Sequence, residues 1–276
     1  MRIPTLAYLT VLEVQRRKLL WIVLALSAIF LLLFGVGFYF VNRDIVRQVR
    51  STTDLFEARN IFLIIGLYGV NFLVVVLAIL TSADIIAGEI GSGVIQTMVT
   101  KPLGRWEIVL GKWLGLASML GVFVLAMGFG LMGIVYAVSG YFPPYPWQGL
   151  GLIILEGWLV LSLSVLGGTR LATLANGVVL FMLYALAFIG SWIEQFGAFA
   201  RNDAMVNIGI VVSLLIPSEA MWKRAAYLMQ PPFLRELGLS PFGTASAPNQ
   251  TMVYYAVGYM TVAVILALWS FSRRDL

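Results

Sequence analysis

Long runs without a charged residue recur along the chain and set its segmentation. Leu19–Asn42 and Asn60–Ala83 each hold 24 uncharged residues, and 171–193 holds 23. The 43 uncharged residues between Lys112 and Glu156 are too many for one crossing. Ser139-Gly-Tyr-Phe-Pro-Pro-Tyr-Pro-Trp147 divides them, because clustered prolines and Gly140 cannot continue a helix. A last apolar run covers 252–271. Crossing a hydrocarbon core of about 30 Å takes about 20 helical residues. The pattern therefore predicts an all-α integral membrane protein, 1–276 forming a single transmembrane domain. Its six helices lie at about 19–41, 61–83, 108–138, 150–169, 171–193 and 252–271. The third is long enough to tilt or project. The apolar run 205–217, at 13 residues, is too short to cross and reads as an interfacial or re-entrant helix within a long segment 194–250.

The N-terminal 3–18 follows another rhythm. Ile3, Leu6, Leu9 and Leu12 recur every third residue, Val11 and Val14 widen the stripe, and Thr5, Thr10, Glu13 and Gln15 fall largely outside it. Pro4 suits the first turn of a helix. Arg16, Arg17 and Lys18 close the segment, where cations complement the helix dipole and anionic head groups. This predicts an interfacial helix anchored on membrane lipid by those three residues. The first apolar run is too long for a cleaved secretory segment and is expected to remain as an anchor.

Composition narrows the function. With 61% apolar residues, 11% charged and a mean hydropathy of +0.94, the chain has too little polar surface for a soluble enzyme or a disordered protein. The net charge of +5 is scattered among apolar runs, so it sets orientation and predicts no nucleic-acid partner. Ten Lys and Arg fall on the side of the two termini and eight on the other, four of them in the long 194–250 segment. Both termini are therefore expected in the cytoplasm, with the aromatic cluster 141–147 at the outer interface and 194–250 extracytoplasmic. The chain has neither Cys nor His. That removes thiolate chemistry, His or Cys metal ligation and histidine-based hydrolysis, and no metal site or catalytic residue is predicted. Glu156 is the one ionisable residue well inside a predicted span. A carboxylate there faces a cavity, a helix or the outer interface, and it is a candidate for the translocation route. Ser162, Ser164 and Asn176 read as interhelical hydrogen-bonding groups, and Gly111 and Gly115 as a close-packing pair.

The most informative stretch is the inner loop Ala83–Lys112. Ser92 is placed to cap a short helix presenting Ile95, Met98 and Val99 on one face, and Pro102 ends it. Such an apolar face at the membrane surface suits a partner groove. Glu89, Gly93, Pro102, Arg105, Gly111 and Lys112, in this order and spacing, resemble the permease subunits of ABC-2 type transporters. The interfacial N-terminal helix, the six spans, the long segment before the last span and Phe271–Leu276 are similar as well. Gly91 and Val94 depart from the family pattern, which has an acidic residue and Thr there. Within the family, 214–227 and 229–232 are most similar to the branch linked to maturation of a copper enzyme, nitrous oxide reductase.

The resemblance implies a permease subunit, an exporter in the bacterial plasma membrane, that is not itself an enzyme. It pairs with a second permease copy, identical or not, and with two ABC ATPase subunits that bind the ATP and Mg. The residues agree: Gly111-Lys112 is followed by Trp113 and has no Gly five residues earlier, so no phosphate-binding loop is present and no cofactor is expected in this chain. The loop 84–107, with Glu89, Gly93, Ile95, Met98, Val99, Pro102 and Arg105, is then the ATPase-coupling element, its helix lying in the cytosol. The alternative is a membrane scaffold or assembly factor recruiting an extracytoplasmic partner protein, as in a copper-enzyme maturation complex.

Overall fold

The computed structural model describes residues 2–48, 51–93, 104–232 and 248–274. All regular structure among them is helical: α1 (Arg2–Gln15), α2 (Lys18–Gln48), α3 (Thr52–Ser82), α4 (Ala87–Gly91), α5 (Arg105–Ser139), α6 (Pro146–Gly168), α7 (Thr173–Phe199), α8 (Asp203–Leu215), α9 (Ser218–Leu228) and α10 (Gln250–Ser272). Six of these, α2, α3, α5, α6, α7 and α10, are long and apolar enough to cross a membrane. Ile95, Met98, Val99 and Pro102 lie outside the described residues.

The bundle is built around α3 and α6. Their apolar windows are 61% and 72% buried, against 17% for α2 and for α10. The central pair interlocks through Leu67, Val70, Val74, Ile153 and Val160, all at most 4% exposed, with Leu120 and Val124 of α5 completing the core. The outer helices keep Leu32, Leu33, Val262 and Ile265 exposed. An apolar rim of this kind is what a lipid solvent demands.

Local chemistry sets the ends. Gly140, in the left-handed region at φ 68°, ends α5, and Pro146 opens α6. The Glu107 carboxylate accepts from the Gly104 amide at 2.8 Å at the start of α5. α2 runs to Gln48, past Arg43, Asp44 and Arg47, and so extends beyond its charge-free window.

Two elements differ from the sequence expectation. In α1 the side turned to α5 carries Ala7, Thr10 and Val14, whereas Leu9 is 53% exposed and Thr10 only 3%. A Cβ on Gly115 would meet the Ala7 carbonyl oxygen at 2.5 Å, and one on Gly111 the Leu6 Cβ at 2.6 Å. The missing side chains let α1 approach so closely that a small threonine packs better than a leucine. The Thr10 hydroxyl is satisfied by the Leu6 carbonyl at 2.8 Å.

The second difference is α9, which has no counterpart among the predicted elements. α8 descends along α7, with Gly197 against Met205 and Gly190 against Val212. After Ile216-Pro217 the chain turns by 107° into α9. α9 climbs back between α3, α6 and α7, so that Lys223 reaches Glu194 and Met229 lies against Gly149. Asn60, near the start of α3, donates to both Met229 O and the Tyr141 hydroxyl. Both arms of the V thus end at one end of the bundle, opposite the end that carries the termini, and α9 is packed into the core.

Candidate functional site

Two polar constellations stand out, one at the terminal end and one inside. The first starts at the turn between α1 and α2. Arg17 donates to Glu13 at 2.6 Å and to Asp84 at 2.7 Å, and Asp84 also accepts from the Thr173 hydroxyl at 2.9 Å. Burial pushes the Arg17 guanidinium down, but Glu13 and Asp84 outweigh it and hold its pKa above the ordinary value. Lys112 of α5 is 3% exposed and donates to Glu89 of α4 at 2.5 Å, with Glu13 at 3.5 Å. One network therefore fastens the segment after α3 to α1, α5 and α7.

The sequence-derived residues of this region separate as follows. Glu89 is 8% exposed and turned inward on Lys112, so it secures the loop's own geometry. Arg105 donates to the carbonyls of Ser272 and Arg274, at 3.1 and 2.8 Å, joining the start of α5 to the end of α10. Gly93 follows α4 with φ 74°. Arg16 and Lys18 are exposed, as an anchor on head groups requires, whereas Arg17 is spent on the network. Arg274 donates to the Thr169 carbonyl, and Arg170 to the Ser270 hydroxyl at 2.9 Å, which staples the α6–α7 turn to α10. Between that turn and α4 opens a cavity of about 520 Å³ lined by Gly88, Ile90, Arg170, Thr173, Leu174 and Arg274. Arg170 and Arg274 line it together with the apolar Ile90 and Leu174.

The second constellation surrounds Glu156, which is 0% exposed. Asn71 of α3 donates to it at 3.2 Å. Glu219, in the first turn of α9 and 3% exposed, shares this interior and hydrogen-bonds the Tyr184 hydroxyl. Next to it Lys223 donates to Glu194 at 2.7 Å. Glu156 thus faces neighbouring helices, not the outer interface. Ser162 accepts from the Trp113 indole at 2.9 Å, and Asn176 donates to Ser164 O at 2.9 Å. At the end opposite the termini, burial pushes the Tyr141 hydroxyl up to about 12.

Sequence reasoning passed over Glu13, Asp84, Asn71, Glu194, Glu219 and Lys223. The last two left a readable signal. An acid and a base four apart, straight after Ile216-Pro217 and with Met221 and Trp222 between them, share one face of a helix that an isolated surface segment would not need.

Comparison with known proteins adds three findings. Residues 12–276 match the family described as ABC-2 family transporter protein. The chain is 33% identical over 130 residues to the probable ABC transporter permease protein NosY of Stutzerimonas stutzeri, covering 43% of this chain and 46% of that one. It is 21% identical over 202 residues to the uncharacterized protein YhcI of Bacillus subtilis strain 168, covering 72% and 63%. The matched regions span less than two thirds of either relative's length.

Proposed function

Because this chain belongs to the ABC-2 family of transporter proteins, we propose that it is the membrane-spanning half of an ATP-driven exporter whose ATP and Mg are bound by separate ABC ATPase subunits. A permease subunit of this family associates with an ABC ATPase. The finer reading is two ATPase copies and a second permease copy, identical or not, in a bacterial plasma membrane with both termini cytoplasmic. Among the described residues α3 and α6 are packed into the core of the bundle, and pairing supplies a route between copies.

One observation carries the coupling role. The segment that follows α3 is not a slack connector: Asp84 and Glu89 fasten it to α1, α5 and α7 through Arg17, Lys112 and Thr173. A force applied to this loop is delivered to three elements at once, which lets a small displacement tip the bundle between two packings. Lys112, the only lysine preceded by glycine in the chain, is engaged with Glu89 in this role.

The test is affinity purification of the full chain from bacterial membranes that also contain its candidate ATPase. The ATPase is expected to elute with the chain, and ATP hydrolysis to require it. Hydrolysis by the isolated chain, or failure of an ABC ATPase to elute, would overturn the proposal.

A further inference from the structure

Among the described residues, the interior around Glu156 holds more carboxyl groups than cations. Glu156 and Glu219 share it with one ammonium, Lys223, which is engaged with Glu194 at 2.7 Å. No other lysine or arginine among the described residues bonds to this group. A second uncompensated carboxylate inside a membrane bundle is costly, and such sites take up a positive charge in preference to staying bare.

The oxygen atoms say where that charge sits. Glu156 Oε2, Glu219 Oε1 and Asn71 Oδ1 are buried and make no hydrogen bond in the structure. Buried oxygens are nearly always paired, so this group of unpartnered acceptors marks the place of a missing donor or cation. Glu219 also borders a small void, which Glu156 and Asn71 do not line. A cavity of about 20 Å³, lined by Tyr68, Ser191, Glu219, Trp222 and Lys223, is the size of one water. Tyr68 on α3, Tyr184 and Glu194 on α7, and Lys223 on α9 are the other titratable groups that face it.

The backbone points the same way. Glu219 stands in the first turn after the break that separates α8 from α9. Interrupted helices inside a membrane are where other transport folds place their small-ion sites, since the break frees polar groups at depth. We propose that Glu156 and Glu219, with Asn71, hold one monovalent cation, a proton or Na⁺, between α3, α6 and α9. Its occupancy would fix how α9 seats on α6. This site is independent of the loop at the terminal end and of which partner drives the chain.

The test uses the full chain in lipid nanodiscs and follows thermal unfolding by tryptophan fluorescence, Trp222 lying 5.1 Å from Tyr68. Na⁺ is titrated against choline at constant ionic strength, and pH is varied from about 5 to about 9 in choline alone. A saturable rise in Tm with Na⁺ identifies Na⁺ as the occupant. A Tm indifferent to Na⁺ that falls as pH rises through a one-proton transition identifies a proton, whose loss uncovers the second charge. Glu156→Gln and Glu219→Gln should each shift the half-point at least tenfold or abolish the response, and Asp54→Asn should leave it intact. Should those two variants fail to fold, Asn71→Leu keeps both carboxyls and should still weaken the response severalfold. A wild-type Tm that responds to neither titration overturns the proposal, as does an unchanged response in Asn71→Leu or in both glutamine variants.

Discussion

The ion pair between Lys112 and Glu89 shows how much one residue can hold at this end of the bundle. Both side chains are almost completely buried, and one Glu89 oxygen, Oε2, has no other partner. Lys112→Met would strand the carboxylate, and truncating one member of a buried pair costs about 3–5 kcal/mol. Glu89→Gln combined with Lys112→Met should recover much of that loss, because the stranded charge is gone. Thermal unfolding of the two single variants and the double variant in detergent measures the coupling between them. A double variant as unstable as the sum of the singles would mean that the pair contributes nothing as a pair. The sequence marked Glu89 and Arg105 through their spacing to Lys112. Spacing says nothing of direction, so whether Glu89 looked outward to a partner or inward to Lys112 was settled only by the packing of α1 and α4 on α5.

At the scale of elements, α1 owes its seat on α5 to Gly111 and Gly115, and this separates two effects of glycine in a helix. Replacing glycine by alanine within a helix ordinarily gains about 0.5–1 kcal/mol. A Cβ on Gly121 meets nothing within 4 Å, so Gly121→Ala should hold or raise Tm. The same change at Gly115 meets the Ala7 carbonyl oxygen at 2.5 Å and the Thr10 Cβ at 2.9 Å, backbone and β-carbon that cannot swing aside. Gly115→Ala should therefore lower stability by about 1–3 kcal/mol, read as a Tm decrease alongside the Gly121 variant. Equal behaviour of the two would refute the close seating of α1. The positions of the spans were legible because charges and Pro143, Pro144 and Pro146 bound them. The face of α1 was not, since periodicity favours the largest apolar stripe while close approach favours Thr10 over Leu9. Nor was α9: Glu219, Lys223 and Arg224 in 11 residues break any apolar window, and only Glu194, Tyr184 and Pro248 explain where these polar groups go.

At the scale of the whole molecule the decisive feature is that α8 and α9 double back. Were the bent pair a seventh crossing, Arg201 and Pro232 would lie on opposite sides of the membrane, and the C-terminus would fall opposite the N-terminus. The structure joins the termini instead: Arg105 holds Ser272 and Arg274, while Arg17 and Thr173 share Asp84 at the same end. The chain has no cysteine, so any introduced thiol is unique. Phe142→Cys, Arg201→Cys and Pro232→Cys place exposed thiols at the end opposite the termini, and Arg16→Cys and Arg273→Cys at the terminal end. In intact cells a membrane-impermeant maleimide should label the first three and spare the last two, which should react only once the membrane is permeabilised. The positive-inside balance predicts that orientation and the re-entrant V predicts the grouping, so the two parts of the pattern fail separately. An inverted pattern would reverse the orientation and leave the fold standing. Labelling of Pro232→Cys together with Arg16→Cys, apart from Arg201→Cys, would make α8 and α9 a crossing and dismantle the interior site along with it.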